Sequence, residues 1–274
     1  MRKYGMNIKI LWTSMTIFNL KKEPCMKNVI RLVSVLPLFM ALNAVVIATP
    51  STQIWIPSTD IQPYLNPHFG WDSYINTDSV GPGTILNGGV TMGVLPFKKI
   101  QMEIGVDYRD INGNHVYPFY FNAKIGTPED ALFKYQPAVA FGGFDFGTKV
   151  NVTTYNVVYG LIAKNIWKLG RFSAGGFKGA VGVNPKKVFA ALSDSAIVDD
   201  AGVLASWDRT MTEISGKLWL AVDYQSGKSG YGALSVGLSW SFSPNASVIF
   251  GYDFWNDSKA LKPTATVQVD INAF

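Results

Sequence analysis

From Phe69 to the C-terminus, apolar and polar positions alternate with a period of two, and no long 3.6-residue period interrupts them. In "KKIQMEIGVDYRD", Ile100, Met102, Ile104, Val106 and Tyr108 fall on one face. Lys99, Gln101, Glu103, Gly105, Asp107 and Arg109 fall on the other, because successive strand side chains point to opposite sides. "GALSVGLSWSF" repeats the pattern, with Leu234, Val236, Leu238, Trp240 and Phe242 opposite Ala233, Ser235, Gly237, Ser239 and Ser241. The alternation predicts twelve strands: 68–76, 86–95, 99–109, 118–126, 137–147, 153–164, 171–182, 203–212, 216–226, 232–242, 246–256 and 264–274. The eighth carries the weakest pattern.

Such strands suit a soluble sandwich with its apolar faces inward, or a membrane barrel with its apolar faces on lipid. Three features favour the barrel. The segments approach the ~10 residues of a tilted membrane strand rather than the ~5–6 of a soluble one. Aromatics end many apolar faces, as in interface girdles: Tyr108, Phe119, Tyr155, Tyr224, Trp240, Phe242, Tyr252 and Phe254. An even strand count leaves both barrel ends on the periplasmic side. The links "PFKK", "NIWKLG", "EISGK" and "SPN" on that side are then short, and "NPKKVFAALSDSAIVDDA" outside is long. "GTPEDALFKYQ" is a longer periplasmic exception.

Charge changes the picture only at the N-terminus. Residues 1–48 hold seven of the 24 Lys/Arg and one of the 19 acidic residues, which leaves a nearly neutral body of 17 basic and 18 acidic residues. The basic balance therefore comes from the leader and does not mark a nucleic-acid binder. "MKNVIRLVSVLPLFMALNAVVIATP" reads as a cleavable signal peptide over 26–48, with Lys27 and Arg31 ahead of an apolar run. Val46 and Ala48 are small enough for signal peptidase, with cleavage before Thr49. Met26 is then the expected start, and 1–25 a misassigned extension. Cys25 is the one cysteine in the chain, so the body offers no disulfide or thiolate chemistry.

Taken together, the chain resembles Gram-negative outer-membrane β-barrels, in particular small porin-like proteins, over about 68–274. The resemblance rests on pattern rather than on a sharp motif. It implies an all-β, transmembrane, antiparallel up-and-down barrel in the outer membrane, in contact with lipid and delivered by the outer-membrane assembly machinery. Small solutes or ions are the implied cargo. A C-terminal Phe274 resembles the ending that this machinery recognises. It falls in phase with Gln268, Asp270 and Asn272 rather than with the apolar Val267, Val269 and Ile271, so either a bulge near the end restores the phase or the assembly signal is atypical.

Catalytic chemistry is sparse. His68 and His115 are the only histidines, and no G-x-S-x-G elbow, HExxH, CxxC or EF-hand pattern is present. His115 reads as a loop residue and His68 as an interface residue beside Phe69 and Trp71. No metal or cofactor is implied; the acids Asp194, Asp199 and Asp200 read as a solvated loop.

By strand phase, Lys99, Gln101, Glu103, Asp107, Arg109, Asn122, Lys124, Asp145, Lys164, Asp223, Gln225, Asp253, Gln268 and Asp270 face the interior. They line a water-filled path or pack as ion pairs that plug a small barrel, since twelve strands lie between filled eight-stranded barrels and open porins. The Pro-rich stretch 49–67 either folds into the lumen or its mouth through Ile54, Trp55 and Ile56, or trails as a linker. In the long outer loop, Lys186 and Lys187 precede an apolar run containing Phe189 and Leu192, which is expected to fold inward as a constriction. The reading is a narrow passive channel, against a non-conducting structural or partner-binding barrel and, third, a lipid-active enzyme.

Overall fold

The computed structural model describes residues 51–77, 84–111, 113, 116–189, 199–259 and 261–274. The leader, His115, the Lys187 side chain, Leu192 and Asp194 lie outside the described residues. Twelve strands form one closed antiparallel sheet. They are β1 Pro67–Asn76, β2 Ile85–Gly93, β3 Gln101–Ile111, β4 Phe119–Thr127, β5 Ala138–Gly147, β6 Thr154–Ile166, β7 Gly170–Lys178, β8 Ala201–Thr210, β9 Leu218–Gln225, β10 Ala233–Ser243, β11 Ala246–Trp255 and β12 Thr264–Asn272. Each pairs with its sequence neighbours, and β1 closes on β12 from His68↔Asn272 to Asn76↔Thr264. Closure pairs every strand on both sides, so no edge is left to template aggregation or to expose backbone polar groups in lipid.

The outer face is apolar. Phe69, Trp71, Ile104, Phe121, Phe141, Ile162, Val203 and Phe250 are all exposed on it. Of the expected girdle, Tyr108, Phe119, Tyr224, Trp240, Phe242 and Phe254 are exposed. Tyr155 is a correction: its ring packs inside, stacked on Tyr120 at 6.3 Å and edge-on to Tyr231 at 5.9 Å. No described helix is long and apolar enough to cross a membrane. Leu238 sits exposed on the outer phase of β10. Leu238→Arg will therefore hinder assembly by about 2–4 kcal/mol near the midplane, read as loss of the heat-modifiable gel band, while Leu238→Val assembles normally.

The barrel also has a hydrophobic interior. Val157, Tyr159 and Leu161 of β6, Phe177 of β7 and Leu204 of β8 face inward and are buried together with Ile56. A second buried group joins Ile54 to Trp219, Ala221 and Ile249. Half of the lumen is thus packed like a soluble core, because the stretch before β1 fills it.

No bulge restores the C-terminal phase. β12 ends at Asn272, its pairing to β1 and β11 runs without a register shift, and Phe274 lies 80% exposed. Its backbone N–H donates to Asn66 Oδ1 at 3.0 Å, and Asn66 Nδ2 donates to its carbonyl at 2.8 Å.

Candidate functional site

Residues 51–58 form a tight hairpin inside the barrel. Gln53 N–H donates to the Ile56 carbonyl at 2.8 Å, and Ser58 N–H to the Ser51 carbonyl at 3.1 Å. The tip, Ile54 and Trp55, therefore presents two free backbone N–H groups. Asp223 of β9 takes both on one carboxylate oxygen, at 2.8 and 2.9 Å. Gln268 of β12 donates to the Ile54 carbonyl at 2.6 Å, and Trp55 Nε1 to the Tyr231 carbonyl at 2.8 Å.

Two clusters hold the hairpin base at the periplasmic end. Lys124 of β4 and Glu103 of β3 form an almost fully buried ion pair at 3.1 Å. Glu103 also accepts from Ser51 Oγ at 3.0 Å and from Gln62 N–H at 2.6 Å, while Lys124 reaches the carbonyls of Ser51 and Ser58 at 3.3 and 3.4 Å. Opposite, Arg171 of β7 bridges Asp60 at 2.6 Å and Asp208 of β8 at 2.9 Å. Asp208 further accepts from Gln53 at 3.0 Å and Trp219 at 3.1 Å. Strand phase does not single out Arg171, Asp208 or Asp60. Arg171 opens a strand and Asp208 sits in the weakest segment, so neither carries a clear alternation.

The unfilled half of the lumen is a cavity of about 370 Å³. It runs from Leu261 and Lys262 at the outer rim, past Tyr74, Asp72 and Asp107, to His68 and Glu103 near the periplasmic end. On its wall Arg109 grips Asp145 with two nitrogens, at 2.7 and 3.1 Å, and lies 4.3 Å over the Tyr120 ring. Asp145 owes its aim to a bulge. The β4–β5 and β5–β6 registers both shift around it, and its φ is +56°, so it faces inward beside Phe144. Tyr231, in the loop between β9 and β10, donates its hydroxyl to Asp145; burial, and then the Asp145 charge, raise this phenol well above its ordinary value.

The other positions that strand phase turns inward divide between wall and rim. Gln101 and Asn122 are partly buried, and Asn122 donates to Asp107 at 2.9 Å. Gln225 and Asp253 are buried inside. Asp270 is buried and pairs with His68 at 3.2 Å. Two positions need correction. Lys99 precedes β3 and is exposed in the periplasmic turn, because β3 begins at Gln101. Lys164 lies at the periplasmic rim, where it pairs with Glu129 at 2.6 Å and Asp130 at 3.5 Å. Burial alone would raise the Glu129 carboxyl, but hydrogen bonds from Lys164 and Asn165 outweigh it and lower it.

In the outer loop, Pro185–Val188 forms one helical turn (α1), capped by Asn184, whose side chain accepts from Lys186 N–H. The Lys186 side chain is exposed. Phe189 is fully buried against Tyr231, with ring centroids 5.3 Å apart, and a side chain at Gly179 would strike its ring. His68, expected at the membrane interface, is instead inside. Its Nδ1 lies 3.0 Å from Asn272 Oδ1 and its Nε2 faces Asp270, so both ring nitrogens are engaged.

No family model matches the chain, and no curated protein does. Among solved structures it is similar to the NanC porin, with 9% identity, 76% of this chain and 98% of that chain covered, and a TM-score of 0.40. An outer membrane channel from Pseudomonas putida F1 gives 7%, 76%, 93% and 0.39. Escherichia coli outer membrane phospholipase A gives 9%, 77%, 94% and 0.44. Likeness at this level transfers no function. The closed twelve-stranded sheet, the apolar outer face and the polar groups turned inward make this chain an antiparallel β-barrel of the transmembrane type.

Proposed function

We propose that the protein is a narrow outer-membrane channel for small solutes or ions, gated by its own N-terminal hairpin. The observation that carries this reading is the cavity running beside the hairpin along nearly the whole length of β1 to β3, floored by the Glu103–Lys124 clasp. A barrel built only to be rigid would gain from filling that space, since a cavity costs stability. The hairpin is held by hydrogen bonds to wall side chains and by burial of Ile54 and Ile56 rather than by strand pairing within the sheet, so it can leave without breaking the ladder. Asp107, Arg109, Asn122 and Asp145 line the path in this proposal. The non-conducting, partner-binding barrel is the competing reading, favoured by the packed half of the lumen. A lipid-active enzyme built on His68 fits less well, since both of its ring nitrogens are engaged. Planar-bilayer recording decides. Discrete, small conductance steps are expected from the folded protein; a silent bilayer containing heat-modifiable, folded barrel would support the non-conducting reading.

A further inference from the structure

We infer that the unfilled half of the lumen binds a small organic ammonium compound. Gly70 and Gly89, paired on β1 and β2, line the cavity, and the glycines at 89 and 105 leave room for the Asp107 carboxylate and the Asn122 amide to lie against the wall. A side chain at Gly89 would strike the Asp107 carboxylate, and one at Gly105 the Asn122 amide. The recess therefore frames Asp107 and Asp72 with side-chain amides. Asn122 donates to Asp107 and Asn87 to Asp72. Neither carboxylate has an ion-pair partner among the described residues. Of the cations on this wall, Arg109 pairs with Asp145 and Lys124 with Glu103, while Lys262 lies at the outer rim. Asp270, 9% exposed on the same cavity wall, leaves Oδ2 without a partner beyond the His68 contact of its other oxygen. These carboxylates crowd one recess, and a cation seated among them would favour their ionised form and pair with it.

The outer half of the same cavity is aromatic. Trp55 meets Tyr74 edge-on at 5.4 Å and Trp255 at 5.0 Å, and all three line it. Tyr74 and Asp72 are successive inward residues of β1, so rings and carboxylates adjoin. Aromatic faces beside carboxylates suit an alkylated ammonium, which draws on both charge and cation–π attraction. Gln225, 1% exposed on this cavity, has an unpartnered Nε2 that offers a donor to a ligand oxygen. A bare metal ion fits less well, since no group of three or more His, Cys, Asp or Glu among the described residues is arranged to hold one.

This inference deepens the channel reading by naming a solute class, but it is read as binding and so stands or falls independently of conductance. The test uses the full barrel in detergent, titrated calorimetrically with choline, with its neutral isostere 3,3-dimethyl-1-butanol and with gluconate. Choline should bind saturably, and the isostere about tenfold or more weaker, the scale of one lost charge contact. Gluconate should not bind. The Asp72→Asn/Asp107→Asn double variant should lose a similar factor, while Trp71→Phe on the lipid face should change nothing. Should the double variant fail to assemble, Trp255→Leu serves instead, with weaker choline binding expected. Equal binding of choline and its isostere, binding of gluconate in place of choline, no saturable choline binding by folded protein, or unchanged choline affinity in the assembled variant would each overturn the inference.

Discussion

Deleting residues 51–60 will raise single-channel conductance severalfold while leaving a folded barrel. The deletion empties the packed half of the lumen, removing Ile54 and Ile56, which are 1% and 0% exposed. Burial of each contributes about 1.5–3 kcal/mol, so the variant will also melt at lower temperature. The sheet itself survives, because closure runs through β1 and β12 and uses no residue before Pro67. Heat-modifiable gel mobility separates a folded, emptied barrel from a misassembled one. An assembled deletion variant that conducts no better than the intact protein would mean that the hairpin does not limit passage.

The second large effect is expected at the clasp. Lys124→Met leaves Glu103 as a buried carboxylate without its cation, and breaking a buried pair from one side costs about 3–5 kcal/mol. Ser51 and Ser58 lose their shared donor at the same time. The hairpin base loosens, so the variant should show a lowered melting temperature together with longer or larger open events. Adding Glu103→Gln removes the stranded charge and should recover much of the stability, since contacting residues couple non-additively. Stability recovered without restored closure would show that Lys124 itself, rather than charge balance, holds the hairpin down. Unchanged stability and gating in Lys124→Met would show that the clasp does not hold the hairpin.

The strands are legible because alternation survives wherever one face meets lipid and the other meets polar groups, as in β3 and β10. The interior is less legible, and the reason is physical. On β6 to β8 the inward residues Val157, Tyr159, Leu161, Phe177 and Leu204 are as apolar as a lipid face, because Ile56 covers them. Strand phase alone then misplaces Tyr155, whose ring joins that cluster. Phase also assigns a face without assigning a partner. It puts Glu103 and Lys124 inside, but not against each other, and it does not show that the backbone of 51–62 becomes their third partner. The bulge at Asp145 is a further break, since one extra residue turns two neighbours inward. The Pro-rich stretch before β1 does carry a signal: Ile54, Trp55 and Ile56 are too apolar for a solvated tail, and they are the residues the lumen buries or half-buries.

A reversible cross-link of the hairpin to the wall tests the central claim most directly. A Cβ built at Gly251 lies 2.7 Å from Ile54 Cγ2, which is one bond from Ile54 Cβ. The two Cβ atoms are therefore about 4 Å apart or less, within disulfide reach. Ile54→Cys/Gly251→Cys, with Cys25 replaced by Ser, should record closed or minimally conducting when oxidised and open when dithiothreitol is added to the same bilayer. Equal conductance before and after reduction, with the cross-link verified on a gel, would contradict a hairpin gate.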